Sequence, residues 1–191
     1  MAQRLGHFCN LDIEMETSQS NFLDTVQLSD GRTVNVRKFQ ACEAVAASLE
    51  IAALGITDSP TEVLMYLVSK FAEVIQPEGP ATPLSFSDIK RMRSREAARL
   101  TKCLTVDLDI KETTADGIRG LLPSGRSFTA LDPTVQDKID SERESNREMR
   151  IYALIAKCVT IDGQPIPILD VQIMDGMDFM PLWAWFNQAP Q

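Results

Sequence analysis

VQLSDGRTV at residues 26–34 and GLLPSGRSF at residues 120–128 decide the reading of this chain. Leu28, Gly31, Arg32, Thr33 and Val34 of the first match Leu122, Gly125, Arg126, Ser127 and Phe128 of the second. SDGR and PSGR are turn sequences, with glycine free to take a positive φ. TVNV after the first turn resumes an apolar–polar alternation, which predicts a β-hairpin. Upstream, LDIEMET at 11–17 resembles LDIKETT at 108–114. LDIEM and LTVDLDI alternate apolar and polar residues and read as strands.

Working downstream, a helix is expected over about 40–54, stopped by Gly55. Ser59-Pro60-Thr61-Glu62 is a capping box with proline at the first helical position. Val63, Leu64, Leu67, Val68, Phe71, Val74 and Ile75 then recur at helical spacing. EVLMYLVSKFAEVI at 62–75 has its counterpart in REMRIYALIAKCVTI at 147–161, with Ser145 as its candidate cap. Each ends in a proline-containing loop and a short final helix. There Ile89, Met92, Glu96 and Leu100 align with Val171, Met174, Asp178 and Leu182. Similar segments in one order predict an internal duplication. The expected fold is α+β but predominantly helical. It consists of two tandem copies of a small module, residues 1–102 and 103–191, each a β-hairpin followed by three or four helices.

Composition narrows the function. A formal charge of −8 argues against general nucleic-acid binding, since phosphates would be repelled. No apolar run approaches the roughly 20 residues of a membrane span. The first residues carry no signal-peptide h-region, so export by that route is not expected. Cys9, Cys42, Cys103 and Cys158 form no CxxC pair and read as reduced thiols of a cytosolic protein. His7 is the only histidine, and its ordinary reading is an incidental surface residue.

The chain carries no GxGxxG, Walker A, GxSxG, HExxH or EF-hand pattern. Hence no catalytic, cofactor-binding or metal-ligating residue is assigned, and the chain is read as a non-enzyme. Asp107 and Asp109 share a strand face and read as its solvated side. The Gly-Arg turns could hold an anion, although a turn alone explains the glycine. KRMRSREAARLTK at 90–102 places Lys90, Arg91, Arg93, Arg95 and Arg99 as candidate electrostatic contacts. No aromatics interleave there to stack bases; the run reads first as a solvated helix face, and the alternative is contact with an acidic protein surface. Residues 103–191 are the more acidic half, with 8 basic against 14 acidic residues, and could supply that surface within or between chains.

MDGMDFMPLWAWF at 174–186 holds both tryptophans. Methionine suits adaptable surfaces, and tryptophan is favoured at binding hot spots. Met174, Met177, Phe179, Met180, Trp183, Trp185 and Phe186 are therefore candidate partner-binding residues. The alternative is that they complete a small core.

The run LPSGRSF, a charged helix, an apolar helix ending near IDG and a short Asp-rich helix with large apolar residues resembles a known group. It is similar to the small tail-assembly and baseplate-assembly chaperones of contractile-tailed phages and prophages. The similarity covers about 117–186 and, more weakly, 22–102. Members of that family often carry one unit, and here there are two. The resemblance implies a non-catalytic role in the host bacterial cytoplasm during assembly. It implies a protein partner, a tape-measure or hub protein held before incorporation. The alternative is a structural subunit retained in the virion tail or baseplate. No cofactor, nucleic-acid or membrane partner is expected, and a homo-oligomer is possible.

Overall fold

A computed structural model describes residues 22–56, 59–144 and 146–188. LDIEMET and His7 lie outside these residues, as do Cys9 and Ser145.

Strand β1 (Phe22–Gln27) runs into the SDGR turn and returns as β2 (Thr33–Arg37). The Leu28 N–H donates to the Arg32 carbonyl at 2.8 Å, and the Gly31 N–H donates to the Leu28 carbonyl at 3.1 Å. Gly31 takes φ 87°, which a side chain would resist. Helix α1 (Ala41–Ala53) opens on a capping box between Gln40 and Glu43. Gly55 at φ 69° closes it, with the Ile56 N–H reaching back to the Ile51 carbonyl. Helix α2 (Pro60–Phe71) is capped by Ser59 through the Glu62 N–H. Strands β3 (Ala72–Ile75) and β4 (Thr82–Pro83) complete a sheet of order β1-β2-β3-β4. Helices α3 (Phe86–Arg91) and α4 (Ser94–Lys102) follow.

The second half repeats this order behind a further strand, whose sequence counterpart LDIEMET lies outside the described residues. Strand β5 (Asp109–Thr114) pairs with β6 (Gly117–Leu121), which turns through PSGR into β7 (Ser127–Leu131). Helices α5 (Val135–Glu142) and α6 (Arg147–Cys158) lead into β8 (Val159–Ile161) and β9 (Gln164–Pro165). The sheet order is β5-β6-β7-β8-β9. Helices α7 (Ile168–Gln172) and α8 (Gly176–Gln188) end the described chain.

The correspondence extends to register. Val34 faces Val74 and Val36 faces Ala72 in the first sheet; Phe128 faces Ile161 and Ala130 faces Val159 in the second. Glu73–Pro83 and Thr160–Pro165 are equivalent pairs. The Leu122 and Gly125 amides repeat the turn bonds at 2.9 and 2.8 Å, with Gly125 at φ 85°. Thr134 and Asp137 form the second capping box, matching Gln40 and Glu43. Asn146, not Ser145, caps α6, and it occupies the position equivalent to Ser59. The connections differ: β8 and β9 join through Asp162-Gly163, both at positive φ, whereas β3 and β4 span a longer loop.

The expectation of a predominantly helical chain is corrected. Helix accounts for 47% and strand for 25%, in two antiparallel sheets. The error lies at two boundaries. The helical period over 62–75 runs on through Ala72–Ile75, yet the chain leaves α2 after Phe71. Likewise α6 stops at Cys158 and β8 follows without a linker. Ala72 (ψ 138°) and Val159 (ψ 136°) are extended, and each N–H still closes the last helical turn, on Val68 and Ile155. Short apolar runs cannot be told apart by period, and the ladder with the β-branched Val74, Ile75, Val159 and Ile161 wins. The hairpin-plus-helices module is thus a meander with one pair of helices inserted before its last two strands and a second pair after them. Two smaller differences concern LTVDLDI, where the strand begins only at Asp109, and the 87–100 segment. That segment breaks at Met92–Arg93 into two helices.

The core is continuous across both halves. Val34, Val36, Val45 and Val68 join Phe128, Tyr152, Ile155, Phe179 and Leu182 in one buried cluster.

Candidate functional site

The last helix was singled out for partner binding, and its residues divide by face. Phe179 and Leu182 are fully buried, and Met174 just before the helix is nearly so. Phe179 meets the Tyr152 ring at 6.1 Å and the Trp183 ring at 5.6 Å. These residues complete the core of the second half. Met177, Met180, Trp183, Trp185 and Phe186 are half-buried and pack against that core from its edge. Trp185 lies edge-on to Phe186 at 4.8 Å. Met177, Met180 and the exposed Ala184 follow helical spacing and form the outward stripe.

The preceding helix and the residue that caps it also leave apolar side chains in solvent. Leu169 is 70% exposed and Ile173 62%, which is unusual for large aliphatic side chains on consecutive turns.

The acid at the start of each closing helix works on the Gly-Arg turn. Glu96 accepts from the Ser29 N–H at 2.5 Å, and the buried Asp178 accepts from the Ser124 N–H at 2.9 Å. The donor moves one residue because Pro123, which stands where Ser29 does, has no N–H. The bond to Ser29 holds the Glu96 carboxyl below its ordinary pKa. The arginines of both turns are engaged with carboxylates, Arg32 with Asp30 at 2.7 Å and Arg126 with Asp162 at 3.1 Å. The turn is therefore a structural latch, and its guanidinium faces a neighbouring acid.

The basic candidates lie together on α3, α4 and the break between them. Lys90 is paired with Glu62 at 2.7 Å and covers the Phe86 ring. Arg91, Arg93, Arg95 and Arg99 are exposed, with no salt bridge among the described residues. Asp109 is paired with Lys111 at the edge of the second sheet, away from any cleft residue.

A cleft of about 390 Å³ lies between α5, α6 and the start of α7. Ala153, Ala156, Ile166 and Ile168 form its floor, and Asp137, Asp140 and Glu144 its rim. Lys157 bridges Asp137 at 3.0 Å and Asp140 at 2.6 Å. The Thr134 hydroxyl and then Lys157 hold the Asp137 carboxyl down to about 2. Lys157 thus ties α6 to α5 through Asp137 and Asp140, and the pairing holds the Asp140 carboxyl below its ordinary value as well. Burial pushes the Cys103 and Cys158 thiols up to about 11, so both are protonated at neutral pH. Among the described residues, no group of three or more His, Cys, Asp and Glu is arranged to hold a metal.

Sequence reasoning missed the apolar outer face of α5. Val135 is 76% exposed and Ile139 43%, on a helix with no buried residue. The signal was present: these two are i and i+4, and they align with the buried Ala41 and Val45 of α1.

Comparison with known proteins returns no matching family model, curated protein or solved structure.

Proposed function

We propose that this chain is a non-catalytic assembly protein that captures an apolar helical segment of a phage tail or baseplate component before incorporation. The observation that carries the reading is the run of large apolar side chains left at the surface of α7 and α8. Leu169 and Ile173 protrude, and Met177, Met180 and Trp183 lie half-covered beside the core. Such a surface suits an amphipathic helix laid into a groove, with methionine adapting to its side chains. Assignment to tail assembly in a host bacterial cytoplasm rests on the sequence resemblance described above.

The test is an affinity pull-down from infected or prophage-bearing cells, with Met177→Ser/Met180→Ser as the control. One helical tail protein recovered with the native chain, lost with the variant and absent from finished particles, supports a transient chaperone. Recovery in fixed ratio within particles makes the chain a retained tail or baseplate subunit. Equal capture by the variant, with its thermal stability lowered, would assign these methionines to the core alone.

A further inference from the structure

The two halves pack through a contact that is not reciprocated. Helix α1 of the first half lies against α7 and α8 of the second, whereas α5, its counterpart, makes no comparable packing with α3 or α4. At the junction the Ala41 N–H donates to the Met174 carbonyl at 2.9 Å, and the Gly176 N–H donates to the Phe39 carbonyl at 2.7 Å. Gln40 and Asp175 form the antiparallel bridge between them. Ala41 and, one turn on, Val45 are fully buried.

A one-way contact of this kind leaves one unused face of each type on the same molecule. The unused donor face is α5, where Val135 and Ile139 stand in the places of Ala41 and Val45 and project into solvent. The unused acceptor face is the break between α3 and α4, where Met92, Arg93 and Ser94 stand for Met174, Asp175 and Gly176.

We infer that the chain associates with a second copy of itself head to tail, α5 of one copy seating on the α3–α4 face of the next.

Three properties of the free faces agree with that occupant. The backbone donors are in place: Val135 and Ser94 are the first residues of α5 and α4, where the helix supplies no partner for an N–H. Sizes are exchanged in step. Inside the chain a large ring, Phe39, meets a residue without Cβ, Gly176; between chains the smaller Pro133 would meet Ser94, which has one. Charge is complementary. Residues 131–144 carry five acids against two bases, and residues 86–102 carry six bases against two acids. The internal contact lacks this pairing, so charge separates the two junctions and favours the intended partner face.

Sedimentation velocity on the intact chain tests this with two surface variants. Val135→Asp/Ile139→Asp blocks α5, and Arg93→Glu/Arg95→Glu blocks the basic face. The native chain should grow in mass over about a hundredfold range of concentration, and less so in high salt. Each variant should be monomeric alone. Mixed in equal amounts they should form a dimer and stop there, since one good face of each type remains. The inference is overturned by a native chain that stays monomeric, by association that survives either variant, or by a mixture that stays monomeric while the native chain associates. Circular dichroism checks that each variant is folded; where one is not, Val135→Ser or Arg95→Ala replaces it, with weakened association expected and unchanged association overturning the inference.

Discussion

Gly176→Ala should destabilise the chain although it places a better helix former at the start of α8. A Cβ built at Gly176 would lie 2.1 and 2.2 Å from two atoms of the Phe39 ring and 2.8 Å from a third. These distances are far inside van der Waals contact, so the ring must move. It has little room to do so: Phe39 is 4% exposed, and its other face is stacked on Phe71 with centroids 4.2 Å apart. Overpacking of this kind costs about 1–3 kcal/mol. Replacing glycine in a helix returns at most about 1 kcal/mol, and less at the first position. The net loss should be about 1–2 kcal/mol. For a chain of this size that lowers Tm by roughly 2–8 °C, measured by calorimetry. The double variant Gly176→Ala/Phe39→Leu should cost less than the sum of the singles, because the new methyl occupies volume the ring vacates. Unchanged or raised stability in Gly176→Ala, or strict additivity with Phe39→Leu, would refute the close approach that joins the two halves.

The turn latches should differ in strength. Asp178→Ala leaves the Ser124 N–H without its part-buried acceptor and should cost about 1–3 kcal/mol in urea unfolding, whereas Glu96→Ala, which removes a more exposed carboxylate, should cost measurably less. Equal losses would mean that burial is not what distinguishes them. Asp137→Asn should lower stability at neutral pH by roughly 0.5–1 kcal/mol through the capping box and Lys157. A carboxyl held below its usual value contributes stability that is complete above the unfolded pKa near 3.8 and is lost as pH falls through about 2. The gap between variant and native chain should therefore close over that window, and a constant gap would contradict the assignment. Gly120→Ala would drive a Cβ to 2.1 Å from the Asp109 carbonyl oxygen on the neighbouring strand. Amides of β5 should then lose hydrogen-exchange protection while those of β7 and β8 keep theirs; unchanged protection would place β5 elsewhere.

The parts of the fold legible in sequence were those fixed by local chemistry. Gly31 and Gly125 announce their turns because only a residue without Cβ rests easily at φ near 85°. Ser59, Gly55 and the aligned Ile89/Val171 and Leu100/Leu182 positions are equally local. What escaped was decided by distant partners. Nothing within FAEVI or KCVTI says where helix gives way to strand, because β2 and β7 supply the hydrogen bonds that reward the change. The candidate surface was half legible for the same reason. Phe179 and Trp183 look alike as apolar residues of α8, and only Tyr152, brought in by α6, determines which of them lies deepest. Val135 and Ile139 drew no notice because a single amphipathic turn in a charged helix looks like noise until its counterpart is found buried.

The one-way contact between halves also sets an order of events during synthesis. The first half can close its sheet once residue 83 has left the ribosome, yet the α1 face bearing Ala41 and Val45 has no cover until α7 and α8 emerge. At about 5–20 residues per second the intervening chain takes roughly 4–20 s to appear. For that interval the nascent chain displays the same kind of apolar helix face that the finished molecule keeps on α5. Neighbouring nascent chains on one message could meet through that face before α7 and α8 cover it, so slowed release of the last helices should increase mispairing between copies.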